Sequence, residues 1–404
     1  MQKGVAVTGL GLMTGLGLDL ESTWQGLISG RRVAKRFTLF DPTGLSATFG
    51  VELPEQAEEL FQENIQTRKR KQMTRANMIA VYTTKMAIED SGVDLESMDR
   101  DRVGMVYGAT GTGYAPQSLE IDENRILKNM ASAPAAWNSL IYKISGPSFT
   151  VTTACSSGTF ALHSAIQLIQ SGQCDVAIAG AADSALSYLD VQGFCSLHAL
   201  SERNEDPPSA SRPFDKSRDG FVMAEGGGIL VLESMEFAKK RNAKIYCTIS
   251  LPGLGSEAYN IMSPAPGGVG MARAMKAALS NAGLKETDID YINAHGTSTT
   301  LNDIYETQAI KEVFGNRAYK IPVSSTKSMT GHCLSAAAGV EAVICVKSLI
   351  ENTIPPTANL SEPDPELDLD YVPNLPRKAD LNHVMSNSFA FGGQNGVCIF
   401  SRMK

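Results

Sequence analysis

The chain has no apolar run long enough to cross a bilayer. Its longest apolar stretch, 333–350, is interrupted by Glu341 and Lys347. The seven cysteines stand at 155, 174, 195, 247, 333, 345 and 398, with no Cys-x-x-Cys pair and no regular spacing. That pattern argues against a disulfide framework and reads as free thiols in a reducing compartment. No secretory pattern opens the sequence, since Lys3 is followed only by a short apolar segment with several glycines. A cytoplasmic protein is therefore expected. Positive charge is not in excess: 36 Lys and Arg face 43 Asp and Glu, for a net charge of −7. General nucleic-acid binding is not expected from such a balance. No segment is low in complexity, and histidine is scarce, with five in 404 residues. The hydrophobic share of 43% and charged share of 20% are ordinary for a globular protein. The length exceeds a typical single core, so two domains or a duplicated one is expected.

One cysteine stands apart. Cys155 lies in Ser148-Phe149-Thr150-Val151-Thr152-Thr153-Ala154-Cys155-Ser156-Ser157-Gly158, where a β-type run meets a turn of small residues. From Thr159 onward Phe160, Leu162, Ala165, Ile166 and Ile169 recur at helical spacing. Cys155 is thus predicted at a strand-to-helix junction, where unpaired N–H groups and the helix dipole favour a thiolate. Other folds present nucleophiles on such elbows. A small buried core cysteine is the alternative.

Two of the five histidines sit in similar places. His295 stands in Asn293-Ala294-His295-Gly296-Thr297-Ser298-Thr299 and His332 in Lys327-Ser328-Met329-Thr330-Gly331-His332. Each follows a short β-type run and is embedded in Gly, Ser and Thr. Scaffolds present catalytic groups on loops of this kind. A lone histidine is more often packed; two, with a cysteine at a third strand end, make a nucleophile-plus-base set.

The order of elements repeats. Residues 86–112 read as helix, glycine C-cap, acidic connector, buried strand and Gly/Thr loop, and residues 275–297 read the same way. A second pair follows, one leading to the helix after Cys155 and one to the helix after His332. Helices are predicted at about 75–91, 156–171, 234–242, 267–282, 302–314 and 333–351. Strands are predicted at about 4–9, 103–108, 148–154, 175–180, 227–232, 245–250, 288–294, 320–325, 384–389 and 396–401. Two similar α/β halves are expected, at about 1–250 with the cysteine and 251–404 with both histidines.

Four motifs in order carry a family resemblance. Thr153-Ala154-Cys155-Ser156-Ser157-Gly158, His295-Gly296-Thr297-Ser298-Thr299, Lys327-Ser328-Met329-Thr330-Gly331-His332 and Asn387-Ser388-Phe389-Ala390-Phe391-Gly392-Gly393-Gln394-Asn395 resemble the β-ketoacyl-ACP synthases, nearest the type II elongating branch. The resemblance runs from about residue 3 to the C-terminus. It implies a thiolase-like α/β fold, duplicated halves in an α-β-α-β-α sandwich, and a homodimer built largely on the strand before the cysteine.

It also implies chemistry. Cys155 takes an acyl group from acyl carrier protein, and malonyl-ACP loses CO2 to give an enolate that attacks the thioester. No cofactor or metal is implied; substrates ride on the phosphopantetheine arm of the carrier. The resemblance makes the N–H groups of Cys155 and Phe391 the oxyanion hole and assigns His295 and His332 to the enolate, with the helix dipole supplying the thiolate. Lys327 and Glu341 orient the histidines. Thr297 and Thr299 hold the pantetheine arm, Phe391 gates the acyl pocket, and Phe389, Gly392 and Gly111 are among the substrate-binding residues. Arg68, Lys69, Arg70 and Lys71, with Arg75, are the densest basic cluster and the expected carrier dock.

The surroundings depart from the family pattern. Segment 129–146, which would line the acyl pocket and dimer contact, is short. Gly111 stands where a bulky pocket residue is common, Ser256-Glu257-Ala258-Tyr259-Asn260 replaces Ser-Asp-Ala-x-His, and Thr300 replaces a proline. A specialised synthase is expected. The other readings are a CoA-using thiolase, a priming synthase, and a non-elongating subunit of a heteromeric ketosynthase. A second catalytic cysteine, an asparagine in place of the second histidine, or a missing Cys155 would mark them respectively.

Overall fold

The computed structural model describes residues 5–110 and 123–403. Among the described residues eleven strands join in one sheet: β1 (Val5–Met13), β2 (Val103–Gly108), β3 (Ser148–Val151), β4 (Val176–Asp183), β5 (Gly226–Ser234), β6 (Cys247–Ile249), β7 (Gly253–Ser256), β8 (Tyr291–Asn293), β9 (Val323–Ser324), β10 (His383–Phe389) and β11 (Gln394–Ser401). Their order is β9-β8-β10-β11-β6-β1-β5-β4-β2-β3, with β7 beside β11. Every residue of β1, β2, β4 and β5 is buried, which is why these segments read as unbroken apolar runs rather than alternating ones.

The pairing pattern occurs twice. β2 runs parallel to β3 and β4, β4 is antiparallel to β5, and β5 to β1. Likewise β8 runs parallel to β9 and β10, β10 is antiparallel to β11, and β11 to β7. Antiparallel pairing of β1 with β6 joins the two sets. The two sets meet at this β1–β6 pair, because the chain leaving β5 returns beside β1, and each set forms one β layer of the expected sandwich.

Five helices place the site. α1 (Arg75–Ser91) starts under Thr74, whose hydroxyl accepts the Asn77 N–H at 3.2 Å, and stops at Gly92 with φ +61°. α3 (Val269–Ala282) stops the same way at Gly283, φ +65°. α4 is Thr300–Phe314. α2 (Ser157–Gln170) packs on β2, β4 and β11, and α5 (Ala337–Glu351) on β4, β5 and β10. Both helices therefore lie between strands of the two sets, and the main core joins Leu162, Val343, Val384 and Phe400. Their approach requires glycine. A Cβ on Gly158 would sit 2.7 Å from the Gly339 nitrogen, and one on Gly339 2.4 Å from the Gly228 carbonyl oxygen. These glycines let the starts of α2 and α5 meet.

The sequence reading missed helices at Leu20–Ile28, Ala57–Asn64, Ala133–Tyr142 and Tyr188–Ser196. Ala133–Tyr142 lies within the short segment 129–146 and packs on α1, β2 and β3.

Candidate active site

Two matching turns precede α2 and α5. After β3 the chain makes the turn Ala154–Ser156, with Ala154 at φ +46°. Before α5 it makes the turn Leu334–Ala336, with Leu334 at φ +47°. A left-handed non-glycine backbone is uncommon and persists only where its surroundings enforce it. In the first turn the hydroxyl-rich sequence does so. The Ser157 hydroxyl accepts the Thr153 N–H at 2.9 Å and donates to the Ala154 carbonyl at 2.6 Å, while the Ser156 hydroxyl donates to the Thr153 carbonyl at 2.8 Å.

Cys155 and the two histidines converge. His332 Nε2 is 3.1 Å from Cys155 Sγ. The imidazoles of His295 and His332 stand edge to face with centroids 5.4 Å apart. Phe221 packs on His332 at 5.2 Å and Phe389 on His295 at 6.0 Å. The His332 backbone is pinned by its N–H to the Val222 carbonyl at 2.8 Å and by the Ala224 N–H to its own carbonyl at 3.0 Å. Behind His295, Lys327 Nζ lies 3.4 Å from Nδ1 and also pairs closely with Glu341. Both Lys327 and Glu341 are buried.

Burial governs the charges here. It pushes the Cys155 thiol up to about 12, against the pull of Lys327. This works against the thiolate expected at a helix start, because the enclosing walls remove the water that would solvate the charge. Burial first, then Lys327 and His332, hold His295 well below the usual imidazole range; burial and Lys327 do the same to His332. Glu341 is raised by burial to about 7, although Lys327 pulls it down. At neutral pH the thiol and both imidazoles are therefore uncharged. The Lys327 ammonium can only donate, so it holds His295 in the tautomer with a bare Nδ1 and a protonated Nε2.

These groups open on a cavity of about 350 Å³. Cys155, His295, His332, Thr297, Thr299, Phe389 and Phe391 line it, while Lys327, Glu341 and Gly392 do not. The Thr297 and Thr299 hydroxyls touch each other at 2.9 Å. Gly392 (φ +82°) donates its N–H to the Ile261 carbonyl at 2.7 Å, tying the loop after β10 to the rim. Thr300 and Glu257 also line the cavity. Glu257 accepts the Ala265 N–H at 2.6 Å and the Asn395 amide at 3.0 Å, so its carboxylate braces that rim. The thiol and imidazole nitrogens lie within 4.8 Å of one another, close enough for a metal ion to bridge. The Lys327 ammonium beside His295 opposes a second cation there.

Some expected residues lie elsewhere. Gly111 is outside the described residues. None of 129–146 lines the described cavity; Met130, Ala131 and Pro134 instead back onto Thr110 and Asp183. Arg68, Lys69, Arg70 and Lys71 are on an exposed turn and the start of the segment after it, and none is fully buried. Arg75 does not belong with them. Its guanidinium forks onto Glu225 at 2.6 and 2.8 Å and also meets Glu58.

Glu306 on α4 was not singled out from the sequence. Its buried carboxylate accepts the backbone N–H groups of His295 and Gly296 at 2.9 and 2.8 Å and the Asn387 amide at 3.0 Å. The spacing from His295 to Glu306 crosses a loop of unknown path, so only the fold shows the contact. Glu306→Gln would turn an NH2 group toward one of these donors. The expected loss is about 1–3 kcal/mol of unfolding free energy, read from urea denaturation; an unchanged midpoint would mean that the His295 loop holds itself.

Comparison with known proteins places this geometry. Residues 2–238 match the family model for the N-terminal domain of β-ketoacyl synthase, and residues 246–361 the model for its C-terminal domain. The chain is 42% identical to 3-oxoacyl-[acyl-carrier-protein] synthase 2 of Synechocystis sp. over 99% of its own length and 98% of the relative's. A β-ketoacyl synthase from Burkholderia phymatum superposes with a TM-score of 0.92 at 35% identity, covering both chains fully. A type II PKS ketosynthase solved in complex with its acyl-carrier protein superposes at 0.89 with 30% identity, again over both chains.

Proposed function

The chain belongs to the β-ketoacyl synthase family, and from that premise we propose that it condenses an acyl group, carried on Cys155, with malonyl-ACP to give 3-oxoacyl-ACP and CO2. The observation that carries this reading is the 3.1 Å contact of Cys155 Sγ with His332 Nε2 in a cavity that His295 also lines. Mass spectrometry of carrier-bound products tests it, with acyl-ACPs of several lengths and malonyl-ACP offered together. The expected product is longer by two carbons. No extended product at any length would refute it.

The first half-reaction begins from a neutral thiol. As Sγ attacks the thioester carbonyl, its proton moves to His332 Nε2. The oxyanion is met by the backbone N–H groups of Cys155 and Phe391, each donor contributing about 3 kcal/mol. Phe391 supports this role by lining the same cavity from a loop whose glycines adopt φ +82° and +69°. When the carbonyl re-forms, the pantetheine sulfur leaves and takes the proton back from His332.

The second half-reaction uses His295. Malonyl thioester loses CO2, and the electron pair of the broken C–C bond passes to the thioester oxygen. His295 Nε2–H, fixed by Lys327 at Nδ1, donates to that oxygen. Glu341 holds Lys327 in place. The enolate carbon then attacks the acyl carbonyl, and the Cys155 thiolate leaves and takes up one proton from solvent. Thr297 and Thr299 are suited to hydrogen-bond the pantetheine arm. No cofactor enters this scheme.

The carrier protein would land on Arg68, Lys69, Arg70 and Lys71. Reversing Arg68 and Lys71, both exposed, should raise KM for acyl-ACP about tenfold at low salt and leave an acyl-pantetheine mimic unchanged. The difference should shrink as salt screens the charges over about 8 Å. An equal change for both substrates rules the patch out.

The chain reads as two like halves meeting near residue 250, supported by the repeated strand order. A homodimer is supported by β3, an edge strand with Phe149 37% exposed, and by the helix Ala133–Tyr142 packed on it, which exposes Leu140 at 66%. Among the described residues no helix is long and apolar enough to cross a membrane; a cytoplasmic enzyme of fatty acid or related assembly, specialised in its substrate, fits the composition.

A further inference from the structure

Asp183 closes β4 and is buried, and none of its hydrogen-bond donors among the described residues carries a charge. One oxygen, Oδ2, accepts the Ser335 hydroxyl at 2.6 Å, the Ser335 N–H at 3.2 Å and the Thr110 hydroxyl at 2.9 Å. A buried carboxylate without a cation is expensive to maintain unless its lone pairs are satisfied. The groups that satisfy it point to its use.

Ser335 occupies the second of the two matching turns. Ala154 at φ +46° precedes Cys155 and Leu334 at φ +47° precedes Ser335, each just before a buried helix. Ser335 therefore stands in the second half where Cys155 stands in the first. It follows His332 by three residues. The chain before this turn is held at Val222 and Ala224; Asp183 holds the turn itself, at Ser335. Thr110 lines the cavity, and its hydroxyl is turned to the same carboxylate.

We propose that Asp183, acting through Ser335, is a positioning residue that clamps the Leu334–Ala336 turn against β4 and so sets His332 Nε2 on Cys155 Sγ. This rests on the acyl-transfer reading above and adds to it what holds the base in register. Misplacing a reacting group by about 1 Å can lower a rate up to about a hundredfold.

The test compares the full-length protein with Ser335→Ala, Asp183→Asn and the double variant. Two rates are read at one pH and salt: alkylation of Cys155 by iodoacetamide, and single-turnover transfer of an acyl group from acyl-ACP to Cys155. Both single variants should be about tenfold slower in both rates, with KM for acyl-ACP within about twofold of wild type. The double variant should be no worse than the slower single one, because either change breaks the same link. Ser335→Ala removes only a hydroxyl, so it carries the test if Asp183→Asn does not fold. Rates for Ser335→Ala within twofold of wild type, or effects that multiply in the double variant, would overturn the proposal. Faster alkylation in Asp183→Asn with Ser335→Ala unchanged would make Asp183 a charge effect and overturn it equally. A wild type that is alkylated at Cys155 but accepts no acyl group contradicts the proposed function instead, and the alkylation rates still decide the clamp.

Discussion

Cys155→Ala should abolish the acyl adduct that wild type forms when mixed with acyl-ACP alone. Removing a nucleophile outright typically lowers turnover by about a millionfold. No other cysteine can take over. Cys174, Cys247, Cys333, Cys345 and Cys398 are buried, and Cys195, the remaining one, does not line the cavity. Burial also holds the Cys174, Cys247, Cys333, Cys345 and Cys398 thiols above their ordinary range. Intact-protein mass spectrometry is the measurement. Wild type should gain one acyl mass and the variant none; an adduct of equal stoichiometry in Cys155→Ala would move the nucleophile elsewhere.

Local signals in the sequence reached the framework. Helix 75–91 and strand 103–108 were predicted at the bounds observed, because Thr74 and Gly92 cap the helix and the strand is an unbroken apolar run. Strand 288–294 shrinks to Tyr291–Asn293, since residues Glu286–Asp288 make a tight turn in which the Asp288 carboxylate accepts the Lys285 N–H. Helix 333–351 begins only at Ala337, after the separate turn that carries Ser335.

The gathering of Cys155, His295 and His332 was legible because all three stand where strands end in small polar residues. What the sequence could not show was contact between distant segments. Arg75 reads as one more surface cation until Glu225, 150 residues away, takes its guanidinium. Glu306 and Asp183 read as generic acids until their backbone and hydroxyl donors are in place. The thiol shift has the same origin. A helix start is visible in sequence, but the burial that opposes a thiolate there is a property of the assembled walls.

That shift predicts how the two histidines should divide the work. Were the dipole enough to make a thiolate, both imidazoles would be free to serve the enolate, and either could be removed without stopping acylation. With Cys155 raised to about 12 and His332 Nε2 at 3.1 Å, the thiol needs a base, and His332 is the group in reach. His295 instead has its Nδ1 engaged by Lys327. His332→Ala should therefore slow acylation by about 10² to 10⁴. His295→Ala should keep acylation within about tenfold while decarboxylation and condensation fall by about 10² to 10³. The pH profile separates the roles further. In wild type neither the thiol nor His332 changes charge across about pH 8 to 9, the one lying above and the other below that window, and Glu341, raised to about 7, is already ionised there, so acylation should be level. In His332→Ala only the thiolate can attack, and its fraction grows about tenfold per pH unit below the thiol pKa, so acylation should climb with pH. Quenched-flow acylation of both variants at several pH values checks this. A flat profile in His332→Ala, or equal loss of acylation in both variants, would return the thiolate to the helix dipole and both histidines to the enolate.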